Sequence, residues 1–202
     1  MSCIETIVID VDGTLIPSLV DFDKLRRRIR EELGVSHELK PLGLSLSRLD
    51  IPVEKKKRAW EMIEEEELNS IRLLDPGSVS TNISEVIKMV ENGFKVVIAT
   101  HRSKRTLEPL LEKLCLTNYI SEYVTRDYSI DRVEQLNYLK AKYSEIVFIG
   151  DTIYDEEASI KADIRFYRVK SYTELASILE YLRLECSRSR KHYNTGFGSS
   201  VK

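Results

Sequence analysis

Asp10 and Asp12 follow the apolar run Ile7-Val8-Ile9 and are followed in turn by Gly13, Thr14 and Leu15. Residues at i and i+2 of an extended segment point to one face, so both carboxylates address the same small space. A glycine and a threonine directly afterwards let the backbone turn and bring N–H groups beside the acids. Such a place suits a divalent cation and a phosphoryl group. A second pair of acids ends another apolar run, Ile146-Val147-Phe148-Ile149, which leads into Gly150-Asp151-Thr152-Ile153-Tyr154-Asp155. A third run, Val96-Val97-Ile98-Ala99, ends in the hydroxyl of Thr100, with His101 and Arg102 next in the chain.

The elements that would position these residues alternate. Short β-branched runs at Thr6–Ile9, Lys95–Ala99, Ile146–Ile149 and Ile164–Val169, with a weaker one near Tyr123-Val124, read as strands buried on both faces. Helical patterns lie between them. One carries Ile83, Val86, Ile87 and Val90 on a face and stops at Asn92-Gly93; another opens at Ser103 with Pro109 inside it. Asp131 is placed to cap a helix through about Lys142, and Asp155–Lys161 and Thr173–Leu184 complete the set. A β-α-β-α alternation implies a parallel sheet with helices on both sides, which binds ligands beyond the carboxyl ends of its strands. Asp10, Thr100 and Asp151 all fall at that end, so they converge although far apart in sequence.

The stretch 16–74 breaks the alternation. It reads as a helix over Asp21–Leu33 stopped by Gly34, a Leu/Ser/Gly-rich connection over Pro41–Asp50, and a second long helix begun at Pro52.

On the residues Asp10-Val11-Asp12-Gly13-Thr14, Val96–Thr100 and Gly150-Asp151-x-x-x-Asp155, the chain resembles the haloacid dehalogenase-like superfamily of phosphotransferases. The resemblance covers roughly residues 5 to 170. It implies a Rossmann-like α/β core of three layers around a five-stranded parallel sheet (residues 1–15 and 75–186). A small α-helical cap (residues 16–74) would be inserted after the first strand, and a polar tail (187–202) would be flexible.

The resemblance also implies roles. Asp10 is the nucleophile, already ionised at neutral pH and in need of no partner base. Asp12 is general acid and then base; family members that cleave carbon–halogen bonds lack an acid here, so that chemistry is not expected. Mg²⁺ would be held by Asp10, Asp151, the backbone carbonyl of Asp12, and Asp155. Thr100 would donate to a phosphoryl oxygen, helped by N–H groups of the turn at Gly13 and Thr14. His101 and Arg102 would sit on the substrate rim. The family also needs a fixed cation beside the nucleophile; Arg132, opening a helix, is favoured over Arg126.

Composition narrows the class without choosing it. Lys and Arg (31) nearly balance Asp and Glu (33) for a net charge of −2, giving no global pull toward nucleic acid or membrane. Basic clusters at Arg26-Arg27-Arg28, Lys55–Arg58 and Arg188–His192 keep a polynucleotide end-phosphatase in view as a second reading. Cys3, Cys115 and Cys186 show no pairing or metal-binding spacing, and no run suits a signal peptide or a membrane span. The expectation is a cytoplasmic phosphomonoester hydrolase acting on a small phosphorylated metabolite, with a sugar phosphomutase as its nearest rival.

Overall fold

The computed structural model describes residues 4–195. Five strands form one parallel sheet: β1 (Thr6–Ile9), β2 (Lys95–Ala99), β3 (Glu122–Val124), β4 (Ile146–Gly150) and β5 (Arg165–Arg168), in the order β3-β2-β1-β4-β5. Ile9 pairs in register with Ile98 on one side and Ile149 on the other, so β1, β2 and β4 end level with one another. Because the chain leaves β1 toward β2 on one side and later places β4 on the other, the strand order reverses at β1. That switch point is where such sheets leave a crevice.

Alternation along β1 sends Ile7 and Ile9 to one face and Val8 to the other. Helices α4 (Ser80–Glu91), α5 (Lys104–Lys113) and α8 (Leu175–Thr195) cover the first face; α6 (Arg132–Lys142) and α7 (Ile153–Ala162) cover the second. Asp131 caps α6 by accepting from the Val133 N–H, as the sequence suggests. In α4 the most buried residues are Asn82, Glu85, Val86 and Met89, so its inward face is rotated from the aliphatic stripe. Asn82 accounts for the rotation: its amide donates to the Leu15 and Tyr172 carbonyls, tying α4 to the loop after β1. Pro109 does not end α5, which runs on to Lys113.

Residues 16–74 hold α1 (Phe22–Leu33), α2 (Leu42–Arg48) and α3 (Val53–Leu73). Asp21 caps α1 and Gly34 closes it in the left-handed conformation at φ 70°. These helices share a cluster of their own, built on Leu25, Ile29, Leu39, Leu46, Ala59 and Ile63. Helix α8 extends past Cys186 to Thr195, where composition suggested an aperiodic tail; no glycine or proline interrupts it before Gly196. The rest of that tail, 196–202, lies outside the described residues, as does Cys3. No helix among those described is long and apolar enough to cross a membrane.

Candidate active site

Asp10 leaves β1 buried, and its N–H donates to the Ile149 carbonyl of β4 at 2.9 Å. Asp151 follows β4, and Asp155 lies in the first turn of α7. One ligand oxygen from each of these three acids lies within 4.8 Å of the others. The convergence has a steric condition. Gly13 stands at φ +90°, and a Cβ there would be 2.3 Å from Asp151 Oδ2, so only glycine admits the Asp151 carboxylate.

Arg132, at the start of α6, reaches into this group. Its Nη2 is 2.7 Å from Asp10 Oδ1 and its Nε 2.9 Å from Asp155 Oδ1. Nη1 donates to Gln135 Oε1 at 2.8 Å, and the guanidinium rests over the Phe148 ring at 5.5 Å. Arg126 goes elsewhere: it bonds Glu67 Oε1 at 2.6 Å and the His101 carbonyl at 2.7 Å. Of the two arginines weighed from sequence, Arg132 is the one that meets Asp10. Asp155 also accepts from the Thr152 hydroxyl at 2.5 Å and from the Thr152 N–H at 3.3 Å, while its own N–H donates to Thr152 Oγ1 at 3.1 Å, a reciprocal cap of α7.

Burial and crowding set the electrostatics. Desolvation raises the Asp10 pKa well above the ordinary carboxylate range; Arg132 opposes the rise, while Asp155, Asp151 and Asp12 add to it. Asp151 is pushed up to about 6, by burial first and the neighbouring Asp155 second. A cluster of acids held this way gains from a cation that would replace its protons.

Several residues stand differently from their expected places. Arg102 lines the cavity together with Asp12 but is only 1% exposed, and it donates to Asp12 Oδ2 from Nε and to Asp12 Oδ1 from Nη2. The cause is α3, whose Ser70 Oγ accepts from Arg102 at 3.0 Å and covers it. The Asp12 carboxylate is therefore committed to Arg102 and stands outside the trio of acids. Thr14 is fully buried, with its hydroxyl 3.5 Å from Asp151 Oδ1, and so steadies an acid instead of reaching a ligand. The Gly13 N–H is spent on the Ile16 carbonyl at 2.8 Å.

Thr100 and His101 line the same cavity beneath the inserted helices. The Thr100 hydroxyl oxygen accepts from the Arg102 N–H at 3.1 Å, which leaves its own proton free to be donated. His101 is exposed at the cavity and hydrogen-bonds the Ile130 backbone; desolvation first, and then the charge of Arg132, push its pKa below the ordinary histidine value.

Glu67 and Gln135 were not singled out by sequence reading. Glu67 is buried on α3, where it accepts from Arg126 and from Thr106 Oγ1 at 2.7 Å. Desolvation raises its pKa while Arg126 pulls it back. Fully buried Gln135 ties the Thr100 carbonyl to Arg132. The basic clusters on α1 and α3 are largely occupied within the inserted segment: Arg28 pairs with Glu66, Arg58 with Glu65, and Lys55 and Lys56 bond the Leu33 and Ser47 carbonyls.

The sequence profile of the haloacid dehalogenase-like hydrolases matches residues 7–169, the span that holds every residue of this site. The chain belongs to that family. Solved structures agree on the fold. A hydrolase from Pseudomonas syringae superposes with a TM-score of 0.63 at 20% identity, covering 88% of this chain and 90% of that one. A proposed phosphoglycolate phosphatase from Lactobacillus plantarum gives 0.59 at 18%, covering 82% and 86%. A proposed β-phosphoglucomutase from Thermotoga maritima gives 0.51 at 21%, covering 82% and 85%. No curated protein matches the chain significantly.

Proposed function

We propose that this family member is a Mg²⁺-dependent phosphomonoester hydrolase working through an aspartyl-phosphate on Asp10. The observation that carries the reading is the meeting of Asp10, Asp151 and Asp155 within 4.8 Å at the strand tips. Three carboxylates and no sulfur or nitrogen donor fit a hard cation such as Mg²⁺. When bound, the ion would offset the repulsion between a carboxylate nucleophile and an anionic phosphoryl group.

The chain's own residues supply the rest. Arg132 fixes one Asp10 oxygen, leaving the other to attack phosphorus, and its charge lies beside the oxygens of the phosphoryl group in flight. Thr100 donates its hydroxyl proton to one of those oxygens. As the ester P–O bond breaks, Asp12 gives a proton to the leaving oxygen. It then takes one from the water whose attack releases phosphate from Asp10. For this Asp12 exchanges Arg102 for the leaving oxygen, because both its oxygens are otherwise occupied. The helices α1–α3 act as the cap that closes over substrate, and the setting is the cytoplasm.

A panel of phosphate esters assayed with and without Mg²⁺ tests the reading. Wild-type protein is expected to release phosphate only with the ion, and Asp10→Asn to lose turnover by at least about a thousandfold. Equal activity in the variant would remove the mechanism.

A further inference from the structure

The cavity over the strand tips has a volume of about 390 Å³, within the ordinary range for a small-molecule site. Its floor is made by the site residues, and its facing wall by the inserted helices. That wall is apolar: Phe22, Leu42, Leu44, Trp60 and Ile63 line it, and Ile130 joins them from the core. Gly43 draws the wall tight, since a Cβ there would be 2.7 Å from Ile130 Cδ1 and 3.4 Å from the Trp60 ring.

Three polar side chains interrupt the wall: Arg26, Lys40 and Glu67. Glu67 is spent on Arg126 and Thr106. Arg26 follows Phe22 by one helical turn, so the ring and the guanidinium share a face of α1. Among the described residues the acid paired with Arg26 is Asp23; the Asp23 side chain is 78% exposed and that of Arg26 17%, so the carboxylate stands in solvent and gives up the guanidinium at modest cost. Lys40 forms no ion pair among the described residues and opens both onto this cavity and onto the adjoining groove of Arg27 and Arg30.

A polyol in this space would press hydroxyls on Phe22, Leu42, Leu44 and Ile63, whose side chains offer neither donor nor acceptor, and those hydroxyls would lose hydrogen bonds to water. A flat apolar body would not. The cations would then stand over whatever extends past it. Resting on the hydrolase reading above, we propose that the substrate is a phosphomonoester with a flat apolar body and a second anionic group, which Arg26 and Lys40 hold.

Matched esters test this on the full chain with Mg²⁺. The kcat/KM for 4-carboxyphenyl phosphate and 4-phosphonophenyl phosphate is expected to exceed that for phenyl phosphate by about tenfold, as two partly exposed cations would give. Whichever of the two is preferred identifies the second anion as carboxylate or phosphate-like. The ratio should fall toward one in the double variant Arg26→Gln/Lys40→Gln. It should persist in Lys57→Gln, which removes an exposed charge outside the cavity. A wild-type ratio near one, a ratio surviving in the double variant, or a preference for glucose 6-phosphate over all three esters would overturn the proposal.

Failure of the hydrolase reading looks different: no ester is turned over at all. Calorimetry with benzylphosphonate and 4-carboxybenzylphosphonate then reads the same preference without chemistry. Tenfold tighter binding of the second compound supports the inference, and equal affinities sink it.

Discussion

Arg102 holds both carboxylate oxygens of Asp12, at 2.7 and 2.8 Å, from a position closed to solvent by Ser70 of α3. The pair joins the acid proposed for proton transfer to the inserted helices through a single side chain. Arg102→Met should therefore act on stability as well as on rate. Removing one partner of a buried pair costs about 3 kcal/mol, which for a chain of this size lowers the thermal midpoint by roughly 6–12 °C. Thermal unfolding measures it, and an unchanged midpoint would show the pair to be energetically idle.

Asp10→Asn should separate stability from turnover. Burial and three neighbouring acids favour the uncharged form of Asp10. The amide supplies that form at neutral pH, so the metal-free variant should unfold a few degrees above wild type, roughly 2–4 °C for each kcal/mol gained. A lower midpoint would mean that the lost pair with Arg132 outweighs the relief.

Gly13→Ala should strike both the ion and the fold. The new methyl meets the carboxylate of Asp151, 2.3 Å away, and pushes it aside, while the φ of +90° adds backbone strain that lowers stability. What is lost is a ligand. The Mg²⁺ concentration for half-maximal activity is expected to rise by at least about tenfold. An unchanged Mg²⁺ requirement would exclude Asp151 from the ion's coordination.

Mg²⁺ affinity should increase with pH. Asp151 holds its proton up to about 6, above its unfolded value near 3.8, so between those values the folded protein binds the extra proton. That proton must leave before the ion is held, so affinity climbs between about pH 5 and 7. Below both values the group contributes nothing to the difference between folded and unfolded chain. Calorimetric titration over that window checks the slope, and a flat profile contradicts it.

The strands were legible because each buried one is a short, nearly uninterrupted β-branched run, and the acids stand where those runs stop. Asp131 as a helix start and Gly34 as a helix stop were legible for equally local reasons. The pairing of Arg102 was not legible because its partner and cover, Asp12 and Ser70, come from distant segments that no local pattern joins to it. Glu67 was hidden inside Glu64–Glu67, which reads as a solvated charge run. One signal was available: Glu67 lies four residues from both Ile63 and Ile71, on the apolar face of α3, where an acid needs a partner.

Asp155 belongs to two structures at once, the group of acids at the strand tips and the opening turn of α7, where it and Thr152 complete each other's hydrogen bonds. An ion drawing on that carboxylate draws on the anchor of a ten-residue rod that carries exposed Ile160 farther along. The start of α7 and the holding of an ion would thus draw on one carboxylate.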